Sequence, residues 1–145
     1  MAVLSAIVAG LEIAALAGRP VGWASFVPAL ALYLAAAALY LWTVWTTRRR
    51  RLSVAFSADR PEFLLADGPY RIIRHPFYSS YMLYWIAGLV GAWRPWLAPV
   101  VPLMAGCYLW AARREERKFA ASPLAADYAA YRARTGMFLP RLAGG

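Results

Sequence analysis

The sequence is poor in the side chains that build metal centres and disulfide frameworks, with one cysteine and one histidine in 145 residues. Cys107 lies inside an apolar run, so a disulfide framework is excluded and cysteine usage leaves the redox compartment open. A closed zinc shell would have to borrow carboxylates, because His75 and Cys107 are far apart in the sequence. We therefore predict no metal site.

Acidic residues are also scarce, since 7 Asp and Glu stand against 16 Lys and Arg and give a net charge of +9. Such a charge is compatible with a nucleic-acid partner. The arginine run at residues 48–51, however, directly follows an apolar segment, which is typical of a membrane anchor attracted to anionic lipid. We therefore expect membrane lipid as a partner and no nucleic acid.

Long apolar runs dominate the rest of the chain. Hydrophobic residues make up 62% of it, with seven Trp and a mean hydropathy of +0.47, more than a soluble domain of this size carries. Four segments with little charge are candidate spans: 2–17, 24–47, 78–92 and 96–112. Only the second reaches the roughly 20 residues that cross a bilayer core. The sequence predicts an all-α integral membrane protein with four transmembrane helices in a single domain, 1–145.

The distribution of basic residues predicts the orientation of these spans. Only Arg19 and Arg94 fall in the two hairpin turns, and the other fourteen basic residues lie in the loop 48–74 or the tail 113–141. Because cytoplasmic loops hold the excess of Lys and Arg, both termini are expected in the cytoplasm. The richness in Ala and Arg favours a prokaryotic plasma membrane.

Two features of the first apolar segment are ambiguous. Residues 15–17 resemble a signal-peptidase site, but no basic residue precedes the run, so we expect it to stay uncleaved. Glu12 is an ionisable residue in a predicted span, which can mark function or can reach the outer interface.

The loop and the tail carry weaker structural signals. We predict a largely irregular loop over 48–77, with at most a short interfacial helix at 61–65, and an amphipathic tail that can lie on the membrane and cover a pocket. The tail is interrupted at Ser122-Pro123. Its apolar residues allow one helical face: Phe119, Leu124, Tyr128 and Tyr131.

Two polar patches bracket the third and fourth spans. Each has a structural interpretation: Pro76 can be the first residue of a helix that the residues around His75 cap, and the residues around Glu115 can be a solvated charge run. The functional interpretation is that free amides at a helix start, beside Arg74 and His75, bind an anion. The short turn at 91–95 makes the two spans antiparallel neighbours, so that His75 and Glu115 face each other. Such a site suits a zwitterionic ligand with an amino acid moiety, and four tyrosines suit a sulfonium or an adenine: Tyr70, Tyr78, Tyr128 and Tyr131.

Over about residues 62–140 the chain resembles the isoprenylcysteine carboxyl methyltransferase family, whose relatives include phospholipid N-methyltransferases. The resemblance is carried by these segments: Gly68-Pro69-Tyr70, Arg74-His75-Pro76-Phe77-Tyr78, Glu115-Glu116, Tyr128-Ala129-Ala130-Tyr131 and Phe138-Leu139-Pro140. It implies methyl transfer from S-adenosylmethionine to a lipophilic or prenylated acceptor at the cytoplasmic membrane face. Ser80 departs from the small Gly or Ala usual in the family.

The resemblance also implies site residues. Cofactor contacts are expected from Glu62, Phe63, Leu64, Leu65, Tyr70, Arg74, His75, Pro76, Phe77, Tyr78, Glu115, Glu116, Tyr128 and Tyr131. Either glutamate would bind the methionyl ammonium, and Arg74 or His75 its carboxylate. Catalytic roles are expected for His75, Glu115, Glu116 and Arg113, of which Arg113 is merely the nearest match to the family's substrate-orienting basic residue. A carboxylate acceptor would need no general base, whereas an amine would need one.

Two other functions fit the same residues. A sterol-type reductase that uses NADPH has a similar hairpin and tail, although a short chain with four spans leaves little room for a dinucleotide and a sterol. A non-enzymatic scaffold would use His75 and the glutamates only as caps and anchors, and would bind no cofactor. The acceptor and the oligomeric state stay open.

Overall fold

The computed structural model describes residues 22–48, 63–92 and 97–141. These residues form four α-helices and one 3-10 helix: α1 (Trp23–Thr47), Gly68–Arg71 (3-10), α2 (Pro76–Ala92), α3 (Val100–Ala120) and α4 (Ala125–Arg134). The same ranges contain no strand, and a single isolated parallel bridge joins Ile73 to Gly136. The all-α class predicted from the sequence is confirmed for the described residues.

Helix α1, with 25 residues, is the one helix of the described ranges that is long and apolar enough to cross a membrane. Only 11% of its most apolar window is buried. Its hydroxyl groups bond within the helix, since Thr43 Oγ1 donates to the carbonyl of Leu39 (2.7 Å) and Thr47 Oγ1 to that of Thr43 (2.9 Å). The helix matches the second predicted span. The first, 2–17 with Glu12, lies outside the described residues, so four transmembrane helices remain a prediction.

The two other predicted spans differ from the helices in their bounds. Helix α2 begins at Pro76, the residue predicted to start it, because proline fits the first helical position without losing a hydrogen bond. Helix α3 runs over Val100–Ala120 rather than 96–112, so both predicted ends were wrong. Residues 113–118 are good helix formers and extend the helix although they are charged.

The predicted break after α3 is confirmed. Helix α3 ends at Ala120, where Ser122 Oγ donates to the carbonyl of Phe119 (2.8 Å) and accepts from the amide of Leu124 (3.2 Å). This local turn replaces continued helix and lets α4 begin at Ala125.

Residues 63–65, where the sequence allowed at most a short interfacial helix, are irregular; residues 61–62 lie outside the described ranges. The ordered element comes later, as the 3-10 helix Gly68–Arg71. Gly68 has a φ of +55°, which L side chains rarely adopt, and a Cβ there would collide with the side chain of Thr46. Glycine therefore lets this turn approach the last turn of α1.

The chain divides into two compact units, one of Met1–Ala37 with Ser80–Cys107 and the other of Ala38–Ser79 with Tyr108–Gly145. The described part of the first is apolar, with Trp85, Leu97 and Met104 at most 4% exposed and no ionisable side chain among its buried residues. The described part of the second holds the buried His75 and Glu116. All contacts described below lie within this second unit.

Candidate active site

A buried histidine lies between two carboxylates. His75 Nδ1 is 3.3 Å from Glu115 Oε2, and His75 Nε2 is 3.4 Å from Glu116 Oε1. His75 immediately precedes α2, and the two glutamates are consecutive residues of α3. The predicted approach of His75 to Glu115 is confirmed. The sequence did not show that the second glutamate would reach the other ring nitrogen.

Arg74 ties the same carboxylate to the end of α4. Its Nε donates to Glu116 Oε1 at 2.9 Å, with both side chains under 10% exposed. Its Nη1 donates to the carbonyl oxygens of Arg132 (3.3 Å) and Thr135. The guanidinium is therefore engaged by a carboxylate on one element and by two carbonyl groups on another.

Residues 135–141 form a segment, here called the strap, that pairs with the chain just before α2. The amide of Gly136 donates to the carbonyl of Ile72 (3.2 Å), the amide of Arg74 to that of Gly136 (2.8 Å), and the amide of His75 to that of Met137 (3.1 Å). A Cβ on Gly136 would collide with the backbone of Leu139, so the strap requires glycine there.

This pairing bears on the anion site that the sequence predicts. The free amides of the helix start, beside Arg74 and His75, were expected to bind an anion, and the amides of Arg74 and His75 themselves donate to strap carbonyls. Both ring nitrogens of His75 and the Nε and Nη1 of Arg74 also face protein partners. The side chains expected beside the anion are therefore engaged by the protein, and the anion site at the start of α2 stays a prediction.

Tyrosines surround the charged cluster. The hydroxyl of Tyr78 donates to Glu115 Oε1 (2.7 Å), and its ring stacks on His75 and on Tyr108, with centroids 5.7 and 5.4 Å apart. The hydroxyl of Tyr131 donates to the carbonyl of Tyr70 (2.7 Å). These contacts orient Glu115 and fix α4 to the 3-10 helix.

The mutual charges shift several pKa values. Burial alone would raise the pKa of Glu116, but hydrogen bonds and charge from His75 and Arg74 outweigh it and lower that pKa to about 2. Burial would lower the pKa of His75, but the hydrogen bonds and charges of Glu115 and Glu116 outweigh it and raise that pKa. Burial chiefly raises the pKa of the tyrosine hydroxyls, to about 12 for Tyr131.

A cleft of about 390 Å³ opens beside Glu116. Its lining mixes alanines, an aromatic ring and charged groups: Glu116, Ala120, Ala125, Tyr128, Ala129, Arg132, Ala133 and Arg141. The Tyr128 ring stacks on Phe119 with centroids 4.7 Å apart, which holds its position. The small alanine side chains leave the space open between α3 and α4.

The remaining predicted site residues differ in their surroundings. Leu65 and Pro76 are buried, whereas Phe63 and Leu64 are partly exposed. The Phe77 ring contacts Tyr40, with centroids 5.6 Å apart. Arg113 is exposed on α3, outside the charged cluster. Glu62 lies outside the described residues.

Five contributors to the site were not predicted from the sequence: Ser79, Tyr108, Arg132, Thr135 and Arg141. Ser79 Oγ donates to the carbonyl of Phe138 (2.7 Å), and Arg132 Nε lies 3.9 Å from Glu116 Oε2. A signal for Arg132 was present, because it stands four residues after Tyr128 and so shares its helical face. A backbone carbonyl acceptor cannot be predicted from the type of residue that carries it, because every residue has one.

Over the described ranges, no group of three or more His, Cys, Asp or Glu residues is arranged to hold a metal ion. No protein-family model, curated protein or solved structure matches the chain. The resemblance to the isoprenylcysteine carboxyl methyltransferase family therefore stays a prediction that rests on the motif residues themselves.

Proposed function

We propose that this protein is a membrane methyltransferase that uses S-adenosylmethionine to methylate a lipophilic acceptor, in the manner of isoprenylcysteine carboxyl methyltransferases. One observation carries the proposal. Arg74 and Glu116 are 42 residues apart in the sequence, and Arg74, His75, Glu115 and Glu116 nevertheless meet in one buried cluster beside an open cleft. Helix caps and anchors alone would not require this convergence.

The cleft has the size and the donor set for such a ligand. Its volume lies within the range of small-molecule sites, and alanines leave room for a flat ring system. Glu116 offers a carboxylate to an ammonium group, and Tyr128 offers a π-face to a sulfonium or an adenine. When bound, S-adenosylmethionine supplies a methyl group that the positive sulfur has already activated for displacement.

The protein's own contribution is position and charge. A carboxylate whose pKa is about 2 is ionised at neutral pH and is a poor proton acceptor, and the raised pKa of His75 favours the imidazolium. Neither Glu116 nor His75 is therefore suited to deprotonate an acceptor. This favours an acceptor that needs no general base, such as a carboxylate, over the amine of a phospholipid.

Membrane attachment is part of the proposal, with four spans and both termini in the cytoplasm. Helix α1 supports it because its apolar side chains are largely exposed, with Leu34 at 61% and Trp45 at 67%. The guanidinium of Arg48 lies 5.3 Å from the ring centroid of Trp45, and that of Arg114 lies 5.6 Å from that of Trp110. Tryptophan is enriched at membrane interfaces and arginine on the cytoplasmic side, so both pairs suit the cytoplasmic interface.

The test is calorimetric binding of S-adenosylhomocysteine to the detergent-purified protein, run beside NADPH. Ala129→Phe would fill the cleft, whereas Ala130→Phe is a matched control, because both alanines are exposed on α4 and only Ala129 lines the cleft. We expect saturable binding of S-adenosylhomocysteine that Ala129→Phe weakens at least about tenfold and Ala130→Phe leaves unchanged.

Other outcomes would refute the proposal. Binding of NADPH alone would favour the reductase, and binding of neither ligand to folded protein would favour the scaffold. If both phenylalanine variants bound S-adenosylhomocysteine as the wild type does, the ligand would bind elsewhere than in this cleft, and the proposed site would be refuted.

A further inference from the structure

The lining of the cleft combines one carboxylate, Glu116, with two guanidinium groups, Arg132 and Arg141. Neither arginine belongs to the motif segments that carry the family resemblance. Arg132 lies in the last turn of α4, and Arg141 lies at the end of the strap, where its Nη1 donates to the carbonyl of Ala133. The cleft therefore presents both signs of charge within one small volume.

We infer that Arg132, assisted by Arg141, binds the α-carboxylate of the amino acid moiety of the ligand, while Glu116 faces its ammonium group. This inference rests on the proposed function. It differs from the sequence-based expectation, which gave the carboxylate to Arg74 or His75.

Arg74 and His75 are poorly placed for that role. Arg74 is under 10% exposed, and its Nε and Nη1 already donate to Glu116, Arg132 and Thr135. His75 faces a carboxylate at each ring nitrogen. A ligand carboxylate at either side chain would have to displace a buried ion pair and would meet Glu115 or Glu116 as a like charge.

Arg132 is more accessible than either. Its side chain is 63% exposed, and its Nε is 3.9 Å from Glu116 Oε2, at the outer limit of an ion pair. A pair of this length with a largely exposed arginine contributes little to stability, so the guanidinium can turn towards a ligand carboxylate at small cost. The planar fork of an arginine then offers two parallel N–H donors to the two carboxylate oxygens. Arg141 is exposed as well and uses one of its five N–H donors on Ala133.

Two ligands that differ in the amino acid moiety isolate this contact. S-adenosylhomocysteine carries the α-amino and α-carboxylate groups, and 5′-methylthioadenosine keeps the adenosine thioether without them. Calorimetry would give the dissociation constants of both ligands for the wild type, Arg132→Ala, Arg132→Ala/Arg141→Ala and Arg134→Ala. Arg134 is the matched control, because it is an exposed arginine in the same helical turn that does not line the cleft.

We expect Arg132→Ala to weaken S-adenosylhomocysteine at least about tenfold, and the double variant to weaken it further, as loss of a charge-assisted hydrogen bond requires. Neither variant should change the affinity for 5′-methylthioadenosine by more than about twofold, and Arg134→Ala should change neither affinity. If the double variant bound S-adenosylhomocysteine like the wild type, or lost both ligands equally, the inference would be overturned while the proposed function stood. Absence of S-adenosylhomocysteine binding to the folded wild type would overturn both.

Discussion

Replacing Glu116 by glutamine tests the charged cluster directly, because the substitution keeps the shape of the side chain and removes its charge. The carboxylate is 9% exposed, lies 2.9 Å from Arg74 Nε and lies 3.4 Å from His75 Nε2. The difference between an ordinary pKa of 4.5 and a folded pKa of about 2 corresponds to about 3 kcal/mol of stabilisation. Loss of one partner of a buried pair costs a similar amount, about 3–5 kcal/mol.

The sign of the pH dependence follows from the lowered pKa of Glu116. The carboxylate stabilises the folded protein fully above pH 4.5, and this contribution is lost as the pH falls through about 2. Glu116→Gln should therefore be less stable than the wild type by about 3 kcal/mol at pH 7, and the difference should shrink towards pH 2.

Equilibrium unfolding in detergent, followed by tryptophan fluorescence from pH 2 to 8, measures this difference. Asp127→Asn is the control, since it makes the same change from carboxylate to amide at an exposed residue of α4. It should stay within about 0.5 kcal/mol of the wild type. A Glu116→Gln protein as stable as the wild type at pH 7, or a difference that does not change with pH, would refute the assignment of Glu116 as an ionised partner of Arg74 and His75.

Two further predictions concern the neighbours of this carboxylate. The raised pKa of His75 means that its ring stays protonated above pH 6.5, so the stabilisation that it gives is present below that pH and is lost as the pH rises through the folded value. Imidazole NMR resonances, of which the chain has one set, should titrate above pH 6.5, and titration below it would contradict the two-carboxylate setting. Gly68→Ala should cost about 1–2 kcal/mol, because φ is +55° and the new methyl group meets Thr46. A fully stable Gly68→Ala protein would show that the 3-10 helix and α1 can separate freely.

The parts of the fold that the sequence predicted are those fixed by local chemistry. Pro76 fits the first turn of a helix but not its middle, so the start of α2 could be predicted from the sequence. The interruption at Ser122-Pro123 was predictable because a local serine turn and a proline both oppose continued helix. The end of α3 was misplaced because hydropathy ends at residue 112, whereas helix propensity continues through the charged residues that follow.

The candidate site was predicted in its residues and only partly in its bonds. The short turn predicted at 91–95 makes the two flanking spans antiparallel neighbours, and that was enough to predict that His75 faces Glu115. The acceptors of Arg74 at Thr135 and of His75 at Met137 are backbone carbonyls, which every residue possesses. Which carbonyl groups accept these hydrogen bonds depends on the path of the strap, and it cannot be predicted from residue types.

The pairing of the strap with residues 72–75 has a consequence for biosynthesis. A nascent chain that ends before Thr135 already carries Arg74 and His75, but it lacks the carbonyl groups of Thr135, Gly136 and Met137 that accept their N–H donors. Because synthesis proceeds from the N-terminus, the Arg74 side chain has no Thr135 acceptor until roughly 60 further residues have been added. Assembly of the cluster is therefore a late event in synthesis. A ribosomal pause before Met137 would prolong the time during which Arg74 and His75 lack these carbonyl acceptors.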